Sequence, residues 1–221
     1  MLKPEVPAAV AERLIEVVAG VDEAAAREPS MLPGWSRAHV MAHLVGFSDA
    51  MTRQVTEANA RRLVEFYDGG MPARVAAIES RSTEPVDVLK REIARATAAL
   101  VSAWGQVEDW SRPVTHRNGT LADTVYTGWR ELTIHTADLG LSHATTDDWP
   151  EDFCLHLLDF LRPRVPAGTQ LVLQAPNHRW TEGESDQVVV EGNLTDLTAW
   201  LAGRRPQREL TGDLPELLPW P

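Results

Sequence analysis

Two pairs of residues in this sequence are spaced so that both members of a pair would lie on one face of a helix. Glu131 and His135 are four residues apart in "WRELTIHTADLG", and His39 and His43 have the same spacing in "HVMAH". Side chains at this spacing on a helix are neighbours, about 6 Å apart. Two histidines and one carboxylate from facing helices would hold Zn²⁺ and leave its fourth coordination position open for catalysis. On spacing alone, a solvated ion pair between Glu131 and His135 is the ordinary alternative.

The elements that would carry these pairs are helices. Apolar residues recur with a period near 3.6 from residue 1 to about residue 145, which is typical of amphipathic helices. Pro33 and Gly34 break the chain before the second helix, and Ser36 is placed to cap it. The sequence therefore predicts a four-helix bundle, a fold whose interior often assembles metal sites. The predicted helices span residues 10–26, 36–64, 86–107 and 121–141.

The stretch between the second and third helices, residues 64–83, is predicted to be irregular. It contains the pair Gly69 and Gly70, and such pairs favour turns and loops. We expect this stretch to fold over one end of the bundle.

The pattern changes after about residue 150. "EDFCLHLLDFLRPR" predicts a helix stopped by proline, and "TQLVLQAP", "HRWTEGES" and "DQVVVEGN" predict strands with a glycine-containing turn. "LTDLTAWLAGRR" predicts a final helix capped by Asn193 or Thr195. The expected domains are a metal-binding helical bundle at residues 1–148 and a small α+β domain at residues 149–221.

Composition narrows the class of protein. A chain of 221 residues that is 43% hydrophobic can bury one core with a small appended domain. Its net charge of -11 disfavours nucleic acid and anionic membranes as partners. The sequence shows no apolar run of transmembrane length and no signal-peptide pattern. Cys154 is the only cysteine, so we expect a reducing, cytoplasmic location and a buried thiol that is not the nucleophile.

The segment "GWSRAHVMAHLVGFSDA", followed downstream by "WRELTIHTADLG", closely resembles the mycothiol-dependent maleylpyruvate isomerase family of the DinB-like metalloenzyme superfamily. The likeness extends to the stretch "PARVAAIE", a β-rich C-terminal module and a late "AGR" helix. The resemblance implies an α+β fold, with an N-terminal DinB-like four-helix bundle followed by a small α/β C-terminal module. It also implies that His43, Glu131 and His135 bind zinc.

The resemblance further implies two active-site arginines and a reaction. The arginines fall on Arg74 and Arg204, with Arg205 as the neighbouring alternative to the second, and a surface charge is the alternative role for each. Mycothiol, a low-molecular-weight thiol, would be activated by zinc as a thiolate. The thiolate would add to the cis double bond of maleylpyruvate, allow rotation, and leave to give fumarylpyruvate. Paired N–H donors of arginine suit the two carboxylates of this small-molecule substrate.

The residues around the two histidines of "HVMAH" agree with the choice of His43. Its helical neighbours form a mostly apolar stripe, whereas His39 lies nearer the start of the helix. His39 is then either a surface residue or a support for the site. Asp138 follows His135 by three residues, so it either orients that imidazole or caps local backbone.

Two other functions compete with the isomerase. The same superfamily contains thiol S-transferases, which would conjugate mycothiol to other electrophiles and would not need both arginines. A bundle that is only stabilised by its metal, or that binds a partner through its C-terminal sheet, would have no catalytic function.

Overall fold

The computed structural model describes residues 2–221, which fold into two compact units. The first unit ends at Ala144 and is helical, whereas Thr145–Pro221 form a second unit with a small sheet. The predicted α+β class is confirmed. Within residues 2–221, no helix has the length and apolar character needed to cross a membrane.

The first unit is a four-helix bundle with two additional helices. Of the bundle helices, α1 contacts α5 and α6, and α3 contacts the same two, so the four close into a ring. Helix α4 packs against α3. The short helix α2 precedes α3 in the chain and also contacts α3. The helices are α1 (Glu5–Ala19), α2 (Glu23–Arg27), α3 (Arg37–Asn59), α4 (Gly70–Ser82), α5 (Val86–Gly105) and α6 (Leu121–Asp138).

The prediction that residues 64–83 are irregular is wrong, because α4 occupies Gly70–Ser82. Gly69 precedes the helix in the left-handed region, with φ of 75°, and Pro72 lies in the first turn, where a missing backbone N–H costs nothing. Only Ile78 and Ser82 of this helix are buried. A helix with so narrow a buried face leaves little apolar periodicity in the sequence.

The first predicted helix is divided in two, and the second ends earlier than predicted. Helix α1 stops at Ala19, and α2 starts after Asp22, whose side chain accepts a hydrogen bond from the Ala25 N–H at 2.8 Å. Such a cap competes with continuing the helix. Helix α3 stops at Asn59, and Arg61 then takes a positive φ of 63°.

Helix α3 contributes a long run of buried side chains to the core of the bundle. Its residues Val40, Met41, Leu44 and Val45 have no exposed surface, and they belong to one apolar cluster with side chains of α1, α5 and α6. Burying each side chain of this size stabilises the fold by about 1.5–3 kcal/mol. His43 lies within this run, so the fold itself holds that imidazole in the bundle interior.

The second unit packs helices with a three-stranded sheet. Helix α7 (Glu151–Phe160) leads through a short turn of 3₁₀ helix to strands β1 (Thr169–Gln174), β2 (Arg179–Glu182) and β3 (Asp186–Glu191), followed by α8 (Leu194–Leu201). The strand order is β2-β1-β3, with β1 antiparallel to β2 and parallel to β3. The central strand is the buried one, since Leu171, Val172 and Leu173 are at most 2% exposed.

Candidate metal centre

Helices α3 and α6 pack together and bring three potential ligands to one point. His43 projects from α3, while Glu131 and His135 lie one turn apart on α6. The Glu131 Oε2 atom lies 3.2 Å from His43 Nε2 and 3.4 Å from His135 Nε2. One ligand atom from each residue lies within 4.8 Å of the other two. Within the described part of the chain, this is the cluster of three such residues that is able to hold a metal ion.

The distances within this cluster fit a tetrahedral ion. Zinc bonds to nitrogen and oxygen are about 2.0–2.1 Å long, so two ligands at a tetrahedral angle lie about 3.4 Å apart. The two measured contacts to Glu131 Oε2, 3.2 and 3.4 Å, are close to this value. A set of two imidazoles and one carboxylate is also the donor set of catalytic zinc sites, which keep one position open. The residues present therefore fit zinc.

Asp138 supports the cluster from within the bundle. Its side chain is 1% exposed, and its Oδ2 atom lies 2.8 Å from His135 Nδ1, although the N–H bond does not point straight at that oxygen. A carboxylate at the far nitrogen of a metal-ligating imidazole fixes which nitrogen carries the proton. The contact leaves His135 Nε2 as the atom that faces Glu131.

The three groups set one another's charge. Burial raises the pKa of Glu131, but the two histidines outweigh it and hold that pKa well below its usual value. Burial lowers the pKa of His43, and the neighbouring His135 lowers it further. Burial also lowers the pKa of His135, but Asp138 and Glu131 outweigh it and raise that pKa to about 9. Without a metal, the cluster at neutral pH therefore contains a carboxylate, a neutral His43 and a protonated His135.

His39 has a different environment from His43. Its Nδ1 atom accepts a hydrogen bond from the Ser36 N–H at 3.2 Å, at the start of α3, and Nε2 lies 3.3 Å from Ser82 Oγ on α4. The imidazole also stacks on Trp35. His39 therefore connects the beginning of α3 to the end of α4, and both of its nitrogens have partners there.

The two predicted arginines lie in different units. Arg74 on α4 has Nη2 3.1 Å from His43 Nδ1, and its guanidinium lies 5.6 Å from the centre of the Tyr67 ring. In the second unit, Arg204 donates a hydrogen bond to the Ala202 carbonyl at 3.0 Å and lies over a tryptophan ring. Its neighbour Arg205 is exposed. The structure thus brings Arg74 to the cluster, and the role of Arg204 stays a prediction.

Aromatic side chains that the sequence did not single out continue from the cluster to the loop before α6. Phe47 lies 6.5 Å from His43, ring centre to ring centre, and Phe66 is 6.2 Å from Phe47. Tyr67 and His116 both contact Phe66, at 4.5 and 4.3 Å. The burial of His116 lowers its pKa to about 4. No sequence spacing connects these residues to the three clustered side chains, so only the folded chain shows that their rings are in contact.

Comparison with known proteins agrees with this fold. Residues 8–140 match the family model of the mycothiol maleylpyruvate isomerase N-terminal domain, and residues 148–219 match that of the MDMPI C-terminal domain. A crystal structure of the mycothiol-dependent maleylpyruvate isomerase is 28% identical, with a TM-score of 0.87 over 99% of this chain and 98% of that one. A mutant of that isomerase with a histidine replaced by alanine is 27% identical, with a TM-score of 0.86 and the same coverage. No curated protein matches the sequence.

The fold and the cluster define a two-unit protein whose helical bundle carries two histidines and a glutamate on facing helices. The chain belongs to the mycothiol-dependent maleylpyruvate isomerase family and is an enzyme of that family. The alternative of a non-catalytic bundle is thereby set aside.

Replacing any one of the three clustered side chains should remove the metal. We expect about one zinc ion per chain in the purified protein, and a loss of affinity greater than about 100-fold in His43→Ala, Glu131→Ala and His135→Ala, since changes outside the ligand set alone cost 10- to 100-fold. Metal content after dialysis against a weak chelator measures this. His39→Ala is the matched control and should retain zinc. Retention in His43→Ala together with loss in His39→Ala would show that the wrong histidine was assigned.

Zinc binding should also release a proton. His135 carries a proton below its pKa of about 9, and a metal at Nε2 requires that nitrogen to be deprotonated. We expect about one proton released per zinc at pH 7.5, and an affinity that falls about tenfold for each pH unit below 9. Titration calorimetry in buffers of different ionisation enthalpy counts the protons. Asp138→Asn should release fewer, because its carboxylate holds the pKa up; zero protons from the wild type would contradict the assignment.

Proposed function

We propose that this enzyme is a zinc- and mycothiol-dependent cis–trans isomerase that converts maleylpyruvate to fumarylpyruvate. The observation that carries the proposal is the convergence of His43, Glu131 and His135 at tetrahedral spacing in a chain of this family. The similar crystal structure is that of the mycothiol-dependent maleylpyruvate isomerase, and the proposal takes its substrate and its thiol from that enzyme. A cytoplasmic location, where low-molecular-weight thiols are kept reduced, is part of the proposal.

Zinc would be held by His43 Nε2, Glu131 Oε2 and His135 Nε2. When bound, zinc lowers the pKa of a coordinated thiol and so supplies a thiolate at neutral pH. The thiol would come from outside the protein, because Cys154, the only cysteine, is unsuited to the role. Its side chain is completely buried, and burial raises the pKa of its thiol to about 11.

The position of the proton on His43 determines whether Arg74 can contact that imidazole. A neutral imidazole that binds a metal through Nε2 carries its proton on Nδ1. Arginine offers only donors, so the contact between Arg74 Nη2 and His43 Nδ1 at 3.1 Å is incompatible with a metal on Nε2. With a metal on Nε2, Arg74 would give up its contact with Nδ1 and be available to a carboxylate. In this proposal, loading the metal prepares one of the two substrate-binding arginines.

The isomerisation requires no oxidant and consumes no thiol. The sulfur forms a bond to one carbon of the cis double bond, and the displaced electron pair moves onto the conjugated carbonyl oxygen. The former double bond is then single and rotates. Return of the electron pair expels the same sulfur and leaves the trans isomer. Arg74 would pair with one substrate carboxylate through two parallel N–H donors, and Arg204 is proposed for the other.

Zinc-loaded protein should convert maleylpyruvate to fumarylpyruvate only when mycothiol is added. Proton NMR of the reaction distinguishes the two isomers directly. Cys154→Ser should keep most of the activity, since the buried thiol takes no part. Activity without added thiol that disappears in Cys154→Ser would contradict the proposal.

The arginines decide between the isomerase and a thiol S-transferase. We expect Arg204→Ala to keep its zinc. Its kcat/KM for maleylpyruvate should fall by the factor that corresponds to a loss of about 2–4 kcal/mol of transition-state stabilisation. Conjugation of a neutral electrophile such as a bromobimane should be unaffected. If Arg204→Ala and Arg74→Ala both process maleylpyruvate at the wild-type rate, the dicarboxylate substrate is wrong and the S-transferase takes its place.

A further inference from the structure

A cavity of about 200 Å³ lies beside the metal centre, bordered by α3, α4 and the segment that connects them. His43 forms part of its wall, whereas Glu131 and His135 do not. Small side chains of both helices leave this space open. At Gly46, for example, an added Cβ would meet only the Arg81 Nη1 atom, at 3.8 Å. The cavity is therefore a place next to the cluster where a small molecule has room.

Two carboxylates line the cavity, and each is already paired with an arginine. Asp49 lies against Arg95, whose Nη2 atom is 2.9 Å from Oδ1 and 3.0 Å from Oδ2. Asp68 is paired with Arg53, with Nη1 2.8 Å from Oδ1. Neither partner arginine is among the residues that line the cavity. The negative charge of the lining is thus neutralised from outside.

Two further arginines line the cavity and have no carboxylate partner among residues 2–221. Arg74 contacts His43 Nδ1 and the ring of Tyr67. Arg81 is half-buried, and within the described part of the chain its guanidinium makes no hydrogen bond, ion pair or ring contact. A half-buried guanidinium group left without an acceptor favours an anionic ligand, because paired N–H donors match a carboxylate.

The two guanidinium groups come from the same face of α4. Arg74 and Arg81 are seven residues apart, which is two turns or about 10.5 Å along a helix. Arg74 lies at His43, and Arg81 lies beyond it, next to Gly46 of α3. An extended molecule with a carboxylate at each end can therefore place one end near the metal centre while the other reaches Arg81.

We propose that Arg81 adds a third arginine contact to the dicarboxylate substrate, in addition to those proposed for Arg74 and Arg204, and that it does so in the cavity between α3 and α4. This inference rests on the proposed function, since it assigns one more contact to the same dicarboxylate. It makes Arg81 a residue that selects dicarboxylates over monocarboxylates. Arg81 also lies in the last turn of α4, where the helix dipole stabilises any cation. That stabilisation is the same with and without a bound ligand, so it does not account for ligand binding.

The test replaces Arg81 by Gln in the full-length, zinc-loaded enzyme. We expect KM for maleylpyruvate to rise about 10- to 100-fold, as for the loss of a charge-assisted hydrogen bond, with kcat changed less than about twofold. Zinc content should be unchanged. Arg91→Gln is the matched control, because Arg91 is an exposed arginine on α5 and is not part of the cavity lining. Arg81→Met retains the aliphatic stem and gives the same readout if Arg81→Gln fails to fold.

A second arm separates this inference from the proposed reaction. Maleylpyruvate binding to the zinc-loaded protein is measured by calorimetry without mycothiol, so no turnover occurs. We expect the wild type and Arg91→Gln to bind maleylpyruvate at least about 10-fold more tightly than the Arg81 variants. A wild type that binds maleylpyruvate in this manner but does not isomerise it when mycothiol is added would keep the carboxylate site and remove the proposed reaction. An active enzyme whose Arg81 variants keep the wild-type KM would overturn the role of Arg81.

Discussion

The site depends on holding ligand atoms of two separate helices a little over 3 Å apart. Glu131 Oε2 on α6 lies 3.2 Å from His43 Nε2 on α3, and a shift of one residue in the packing of either helix would separate them. Burying such polar groups costs free energy unless they are paired. The apolar cluster around α3 offsets this cost. Its members Val40, Met41, Leu44 and Val45 are fully buried, on either side of His43 in the sequence.

The residues outside the ligand set act on the protons of the two histidines. Asp138 lies at Nδ1 of His135, and Arg74 lies at Nδ1 of His43. The first contact is compatible with a metal on Nε2, because a carboxylate accepts the N–H that remains. The second is not, because a guanidinium has no acceptor. The two Nδ1 contacts would therefore respond differently to a bound metal, and in the proposed function this difference links metal binding to the position of Arg74.

Helix α4 gives the bundle a cavity beside the candidate metal site, whose three residues lie on α3 and α6. It lies against α3 on the His43 side and supplies both Arg74 and Arg81. Among residues 2–221, its cavity-lining arginines have no carboxylate partner, whereas the two carboxylates of the lining, Asp49 and Asp68, are paired with arginines outside it. This distribution of charge is what distinguishes the cavity from an ordinary gap between helices.

The sequence predicted those features that depend on local spacing. The pairs His39/His43 and Glu131/His135 follow from helical geometry, and the four bundle helices follow from apolar periodicity. Helix α4 was missed, because only two of its residues are buried and its periodicity is weak. Arg81 was missed with it, since a spacing of seven residues means nothing until the segment is known to be helical.

Other parts of the site needed contacts that no spacing reports. From the sequence, Asp138 could either cap local backbone or orient an imidazole. The structure puts its carboxylate at His135. His39 was left between surface and support, and the structure ties it to Ser36 and Ser82 instead. These pairings depend on how α3, α4 and α6 pack.

The proposed function requires the cluster to bind a metal with an open position that accepts a thiol. The absorption spectrum of the protein with Co²⁺ in place of zinc, recorded before and after mycothiol is added, tests this requirement. We expect a new near-ultraviolet band from sulfur-to-cobalt charge transfer in the wild type, and none in Glu131→Ala. A protein that holds one cobalt per chain but shows an unchanged spectrum when mycothiol is added would show that no thiol binds at the metal.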